Sequence, residues 1–191
     1  MTTDRLVLLA VTKMLSGMCV GGISLATGKW IRPVKEHSTI LPGDLTYKDR
    51  SVMRPFDVVD FSLMQHRPQP PHIEDWTCDF VRSRPVRVDD MADRLDFMRG
   101  HSEPGSPEQV LAAQRSLALY EPSDIEAHFH QDNYSGKYAA RLKLPEMGPR
   151  PLPVTDIKWR ALGRQLIGQS EFVSLTADEV RGRLGIERVF V

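Results

Sequence analysis

A mostly β fold, two small barrels in tandem with a few short helices, is the architecture this sequence predicts. Three observations carry the prediction. Short runs of strand-forming residues alternate with tight turn signals along most of the chain. Paired glycines, Gly21 and Gly22, sit inside one of those runs, where a small closed barrel needs a bulge or a sharp bend. Both halves read alike and are separated by a loop near 101–106. The first unit is therefore expected at 1–100, with an acidic extension, and the second at 105–191.

The elements follow in order. Leu6 to Val11 is a continuous apolar run, the mark of a strand buried on both faces. Met18 to Ile23 is a second strand, Ala26-Thr27-Gly28-Lys29 a turn, and Trp30 to Val34 a third strand that Pro33 interrupts or ends. Leu41-Pro42-Gly43-Asp44 is another turn, and Phe56 to Met64 a partly alternating strand. Residues 66–72 hold three prolines and are expected as a loop. Residues 73–100 are acidic, with weak helical character over Met91–Met98. Ser106-Pro107-Glu108 is a helix start, Ser106 capping and Pro107 in the first position, for a helix expected over roughly 107–118. Strands resume at Ile125–His130 and Lys137–Leu144, joined by a turn at 133–136 into a hairpin. Leu152–Trp159 reads as extended, Arg160–Gln169 as helical, and Ala177–Leu184 as a short helix. Phe172–Leu175 and Arg188–Val191 are the candidate last strands.

Composition narrows the function classes. Among 191 residues Lys+Arg and Asp+Glu are both 25, so the formal net charge is zero. That disfavours both a strongly basic nucleic-acid binder and an acidic solvating protein. Cys19 and Cys78 form no CxxC and are too few for a disulfide framework or a cysteine zinc site. No run of about 18 apolar residues suits a membrane span. The start of the chain, with its short apolar core and no small-residue cleavage pattern, reads as a strand rather than a signal peptide. A reduced, cytoplasmic protein is expected.

Two series of segments carry a resemblance. The first is VTKMLSGMCVGGISLATGKWIRPV followed by MRPFDVVDFSL, and the second is SLALYEPSDIEAHF, SGKYAARLKL and VTDIKWRALG. GKWIRPV (Gly28–Val34) and VTDIKW (Val154–Trp159) are the most specific. Together they resemble the bacterial dual OB domain family, from about residue 6 to about residue 175. The resemblance implies two oligonucleotide/oligosaccharide-binding barrels in tandem and a role in nucleic-acid binding, tied to mobile elements and defence systems. Thr176 to Val191 departs from the family pattern.

The net neutrality hides segregation. Residues 13–54 carry a local charge of +4, residues 137–164 carry +5, and residues 57–103 carry −4. A phosphate backbone follows positive strips, and single-strand binders stack bases on aromatic rings beside cations. Lys29, Trp30, Arg32 and Lys35 in the first strip, and Arg141, Lys143, Lys158, Trp159 and Arg160 in the second, are the candidate nucleic-acid-binding residues. Against this, Trp30 and Trp159 suit a barrel core, and the cations suit a solvated surface. The alternative function is a protein-interaction module or accessory subunit that docks a partner enzyme.

Catalytic readings fare worse. No GxSxG, P-loop, HExxH or GxGxxG occurs. A metal-dependent nuclease would share a divalent ion between carboxylates, and only Asp156 and Glu146 lie close in sequence. Asp156 suits a turn cap or a pair with Lys158 or Arg160. His128, His130 and Asp132 share one strand parity, a weak metal pattern with no further ligand nearby. The other histidines, His37, His66, His72 and His101, are expected in solvent-exposed loops, and Cys19 as a buried thiol. No enzyme activity, cofactor or metal is expected.

Overall fold

The computed structural model describes residues 1–14, 16–81, 84–103, 107–132, 134–186 and 188–191. The chain forms two compact units. One comprises Met1–His101 with Gln109–Ala118, the other Ser102–Glu108 with Leu119–Val191.

In the first unit five strands close a barrel: β1 (Thr2–Lys13), β2 (Met18–Ser24), β3 (Trp30–Val34), β4 (Asp57–His66) and β5 (Asp75–Cys78). Their order is β1-β2-β3-β5-β4, and β4 also pairs with β1, which removes the open edge. All these pairings are antiparallel except β3 with β5. The glycine pair has a specific cause. Register slips between Leu8 and Ala10, which stand opposite Gly22 and Gly21. A Cβ on Gly22 would lie 2.4 Å from the Val7 carbonyl oxygen, so only glycine lets β2 approach β1 at the bulge. The bulge lies in β1, the partner of the glycine strand.

Leu6, Leu8, Val20, Ile31, Val59 and Phe61 point inward and fill the barrel, with Leu45 and Tyr47 from the β3–β4 connection. Val7 is equally buried on the opposite face of β1, as its apolar run requires. Asp57 is 1% exposed and ties that connection down. Its Oδ2 accepts from the Tyr47 hydroxyl at 3.0 Å and from Arg54 N at 2.9 Å, and Arg87 Nε lies 3.2 Å from its Oδ1. Burial and the Asp57 bond push the Tyr47 phenol upward, so it stays a proton donor. β6 (Val86–Asp90) extends the sheet beside β4, and α1 (Arg94–His101) follows. The acidic stretch thus contains two strands, β5 and β6, where the sequence predicts only weak helix.

α2 (Pro107–Ala112) is shorter than the helix expected over 107–118. It ends at Ala112, and Gln114 adopts a φ of 57°, outside helical space. The expected cap Ser106 and turn residue Asn133 lie outside the described residues.

The second unit is a four-stranded antiparallel sheet, ordered β10-β7-β8-β9. Its strands are β7 (Glu126–Gln131), β8 (Tyr138–Lys143), β9 (Leu152–Pro153) and β10 (Phe172–Thr176). α3 (Ile157–Ile167) and α4 (Ala177–Leu184) supply Ile167, Ala177 and Val180 to the core it shares with Ala127, Phe129, Ala140, Leu142 and Leu175. The segment expected as extended up to Trp159 turns helical at Ile157. Asp156 accepts from Trp159 N at 2.7 Å and caps α3. Arg188–Val191 does not join the sheet; Tyr120 and Val191 exchange two backbone hydrogen bonds of 2.8 Å instead. Among the described residues no helix is long and apolar enough to cross a membrane.

Candidate functional site

Strand alternation sets what the first barrel shows outward. In β3, Ile31 and Pro33 are buried, while Trp30, Arg32 and Val34 are half-buried on the outer face. In β2, Val20 points inward, and Cys19, Gly21 and Ile23 share the outer face with them. Trp30 pairs with Ile23 on that face and is not a core residue of the barrel.

The face is partly roofed. A Cβ on Gly21 would lie 2.8 Å from Leu117 Cδ1, so Leu117 packs directly over β2. Ser116 beside it donates from N at 2.8 Å and from Oγ at 2.5 Å to Glu74 Oε1. Next to this contact a cleft of about 210 Å³ stays open. Its walls are the β1–β2 turn with Met14 and Gly17, the ends of β2 and β3 with Cys19 and Arg32, the segment after β3 from Lys35 to Ile40, and His72 from the Pro-rich β4–β5 loop.

Charge in this region is balanced within the protein. Arg32 donates to Asp75 from Nε at 2.5 Å and from Nη2 at 2.8 Å, both side chains being 14% exposed. Burial works against the Arg32 charge, but the bond and the field of Asp75 outweigh it, and the guanidinium is held above its ordinary value. Lys35 Nζ lies 2.6 Å from Asp44. Lys29 is exposed at the β2–β3 turn and has no ion-pair partner among the described residues. Burial pushes the Cys19 thiol up while Arg32 pulls it down less strongly, so the sulfur stays protonated at neutral pH. Cys19 lines the cleft, half-exposed, where the sequence predicts a buried thiol. At the same end of the barrel, the His66 ring stacks on Trp76, 4.8 Å between centroids and 23° between planes.

A family model described as a dual OB-containing domain matches residues 4–175. The chain belongs to the dual OB-containing domain family. No curated protein and no solved structure matches it.

The second unit of this dual OB chain separates the remaining expected residues. Trp159 packs on Phe129, with ring centroids 5.6 Å apart, among the residues around the hydrophobic core. Arg160 donates to the carbonyls of Val154 (3.3 Å) and Tyr138 (3.4 Å), and its guanidinium lies 5.0 Å from the Tyr138 ring centroid. Lys158 is exposed on the first turn of α3. Arg141 and Lys143 alternate with the core residues Ala140 and Leu142, so they stand on the sheet face turned away from Trp159. The strip 137–164 is thus continuous in sequence and divided in space.

His128 and Asp132 are engaged within the protein. His128 Nε2 lies 3.0 Å from Glu126 Oε1, and Asp132 accepts from Tyr134 N and Ser135 N. Among the described residues no group of three or more His, Cys, Asp or Glu side chains is placed to hold a metal. Sequence reasoning missed Asp75, Trp76 and the cleft lining of His72. The signal available for them was the Pro-rich loop, which a five-stranded barrel of this order sets beside the β1–β2 turn.

Proposed function

We propose that this protein binds single-stranded nucleic acid, without catalysis, on the outer face of β2 and β3. The observation that carries the reading is Trp30 beside Arg32 on that face, next to an open cleft that the β1–β2 turn, the segment after β3 and His72 of the β4–β5 loop enclose. Barrels of this strand order bind oligonucleotides through that same face and those two loops. The Trp30 ring offers a stacking surface to an unpaired base, Lys29 offers a phosphate contact, and Arg32 is held in place by Asp75. Leu117 limits the open part of the face to a short stretch of strand.

The test is fluorescence anisotropy of labelled single-stranded DNA and RNA at about 50 and 200 mM salt. With one phosphate neutralised by Lys29, the association constant falls about 2.6-fold over that range. Trp30→Ala weakens binding by about 5- to 150-fold without changing the melting temperature, the value of stacking one base. Absence of binding at 50 mM salt overturns the reading.

A second reading, a module that docks a protein partner, has one observation in its favour. The pairs Arg32–Asp75 and Lys35–Asp44 leave little free positive charge at the cleft. Binding that ignores salt, or retention of a protein where no oligonucleotide binds, favours that reading.

A further inference from the structure

The sheet of the second unit has one covered face and one open face. Ala127, Phe129, Ala140, Leu142 and Leu175 face α3 and α4 in the core. The opposite face is described by register. Phe172 pairs with His130, Ser174 with His128, and Thr176 with Glu126 across β10 and β7. On the other side of β7, His130 pairs with Ala139, His128 with Arg141, and Glu126 with Lys143. Every one of these side chains is exposed or half-exposed. Phe172 is 53% exposed, an aromatic ring in solvent on a strand whose alternate residue Leu175 is buried at 3%.

The carboxylates near that ring are both engaged within the protein, and one guanidinium is left with little to hold it. Glu126 is the carboxylate within the three rows, and it is saturated by His128 (3.0 Å), Ser174 Oγ (3.0 Å) and Lys143 Nζ (3.3 Å). Those bonds hold its carboxyl well below the usual range, at about 2. Asp132, at the end of the same parity, is occupied by the turn amides of Tyr134 and Ser135. Arg141 is exposed and, among the described residues, makes only a long 3.4 Å contact to the Pro151 carbonyl. The His128 ring lies 5.7 Å from Phe172, inclined at 58°.

An antiparallel sheet with helices on one face and, on the other, an exposed aromatic ring two strands from a guanidinium has the chemistry that unpaired bases and phosphates require. We infer that this open face is a second contact surface for single-stranded nucleic acid, with a base stacked on Phe172 and a phosphate on Arg141. The inference rests on the nucleic-acid reading of the barrel, yet it concerns different residues. An unpaired strand is the occupant the face fits, because a base inside a duplex stack cannot offer its flat side to the ring.

The experiment uses the full chain and a labelled single-stranded oligonucleotide at 50 mM salt, with four proteins compared: wild type, Trp30→Ala, Phe172→Ala and Phe172→Tyr. Phe172→Ala is expected to weaken binding about 5-fold or more, and Phe172→Tyr to restore it, since tyrosine keeps the stacking ring. Should Phe172→Ala also lower the melting temperature, Arg141→Gln supplies the decision, with an expected drop in both affinity and salt dependence. Phe172→Ala equal to wild type while Trp30→Ala weakens binding overturns this inference and leaves the barrel reading intact. Weakening by Phe172→Ala alone supports the sheet surface and removes the barrel site. No binding by wild type overturns both.

Discussion

Gly163→Ala tests how α3 sits on the second sheet, and with it which sheet face is left open. In a helix interior this change ordinarily stabilises by about 0.5–1 kcal/mol, because glycine loses more backbone freedom on folding. Here the added methyl would stand 2.1 Å from Phe129 Cδ1 and 2.2 Å from the Tyr138 hydroxyl oxygen. Ordinary contact begins near 3.4 Å, so helix and sheet must separate by more than an ångström at this point. Phe129 is 0% exposed and packed within the core, so it cannot swing out into solvent. Forcing one methyl into such packing costs about 1–3 kcal/mol, which exceeds the helix gain. For a unit of this size each kcal/mol lowers the melting temperature by about 4–8 °C. Near-UV circular dichroism on heating reads the change. Gly182→Ala on α4 is the internal control, since nothing lies within 4 Å of its Cβ position. It should leave stability unchanged or raise it. If Gly163→Ala stabilises as Gly182→Ala does, α3 does not lie as close to β7 and β8 as described.

Three further outcomes follow from individual contacts. Asp156→Ala removes the cap that Trp159 N uses, and chemical denaturation should show a loss of about 0.5–2 kcal/mol, with Asp156→Asn or Asp156→Ser recovering most of it. Asp57→Ala leaves the Tyr47 hydroxyl and Arg54 N without their buried acceptor, and a loss of about 3 kcal/mol is expected in the same assay. The Glu126 carboxyl, held at about 2, contributes stability that is present above the ordinary glutamate range and is lost as pH falls from there through about 2. Carbon-13 NMR of the side-chain carboxyls should find Glu126 still ionised at pH 3, and a midpoint near 4.5 would refute the three-bond arrangement.

The parts of the fold legible in the sequence are those whose signal is local. β1 and β2 announce themselves because Leu6–Leu8 are buried on both faces and because Gly21 and Gly22 answer to a bulge. α4 and β10 are legible as well, from the mostly apolar run Phe172–Leu175 followed by a short helical stretch. β5 and β6 are not, because their stability is not written in their own residues. Asp75–Cys78 alternates over only four residues, too few to stand out beside a Pro-rich loop, and is held by pairing with β3 and β4 and by the Arg32–Asp75 bond, across 43 positions of sequence. Val86–Asp90 is an exposed strand beside β4. α3 begins earlier than its sequence suggests because Asp156 reads equally well as a turn residue and as a cap. The candidate site was half legible for the same reason. Trp30 and Arg32 stand two apart on one strand, and alternation puts them on one face. Nothing local shows that Arg141 and Lys143 point away from Trp159, since that depends on which side of the sheet α3 covers.

The most direct test of the central claim is ultraviolet cross-linking of the intact protein to a single-stranded oligonucleotide at low salt, with the attached peptides mapped by mass spectrometry. The account predicts nucleotide adducts within residues 14–35, centred on Trp30 and Cys19, that disappear as salt rises. Adducts that avoid this stretch entirely, or none at all at 50 mM salt, would contradict it.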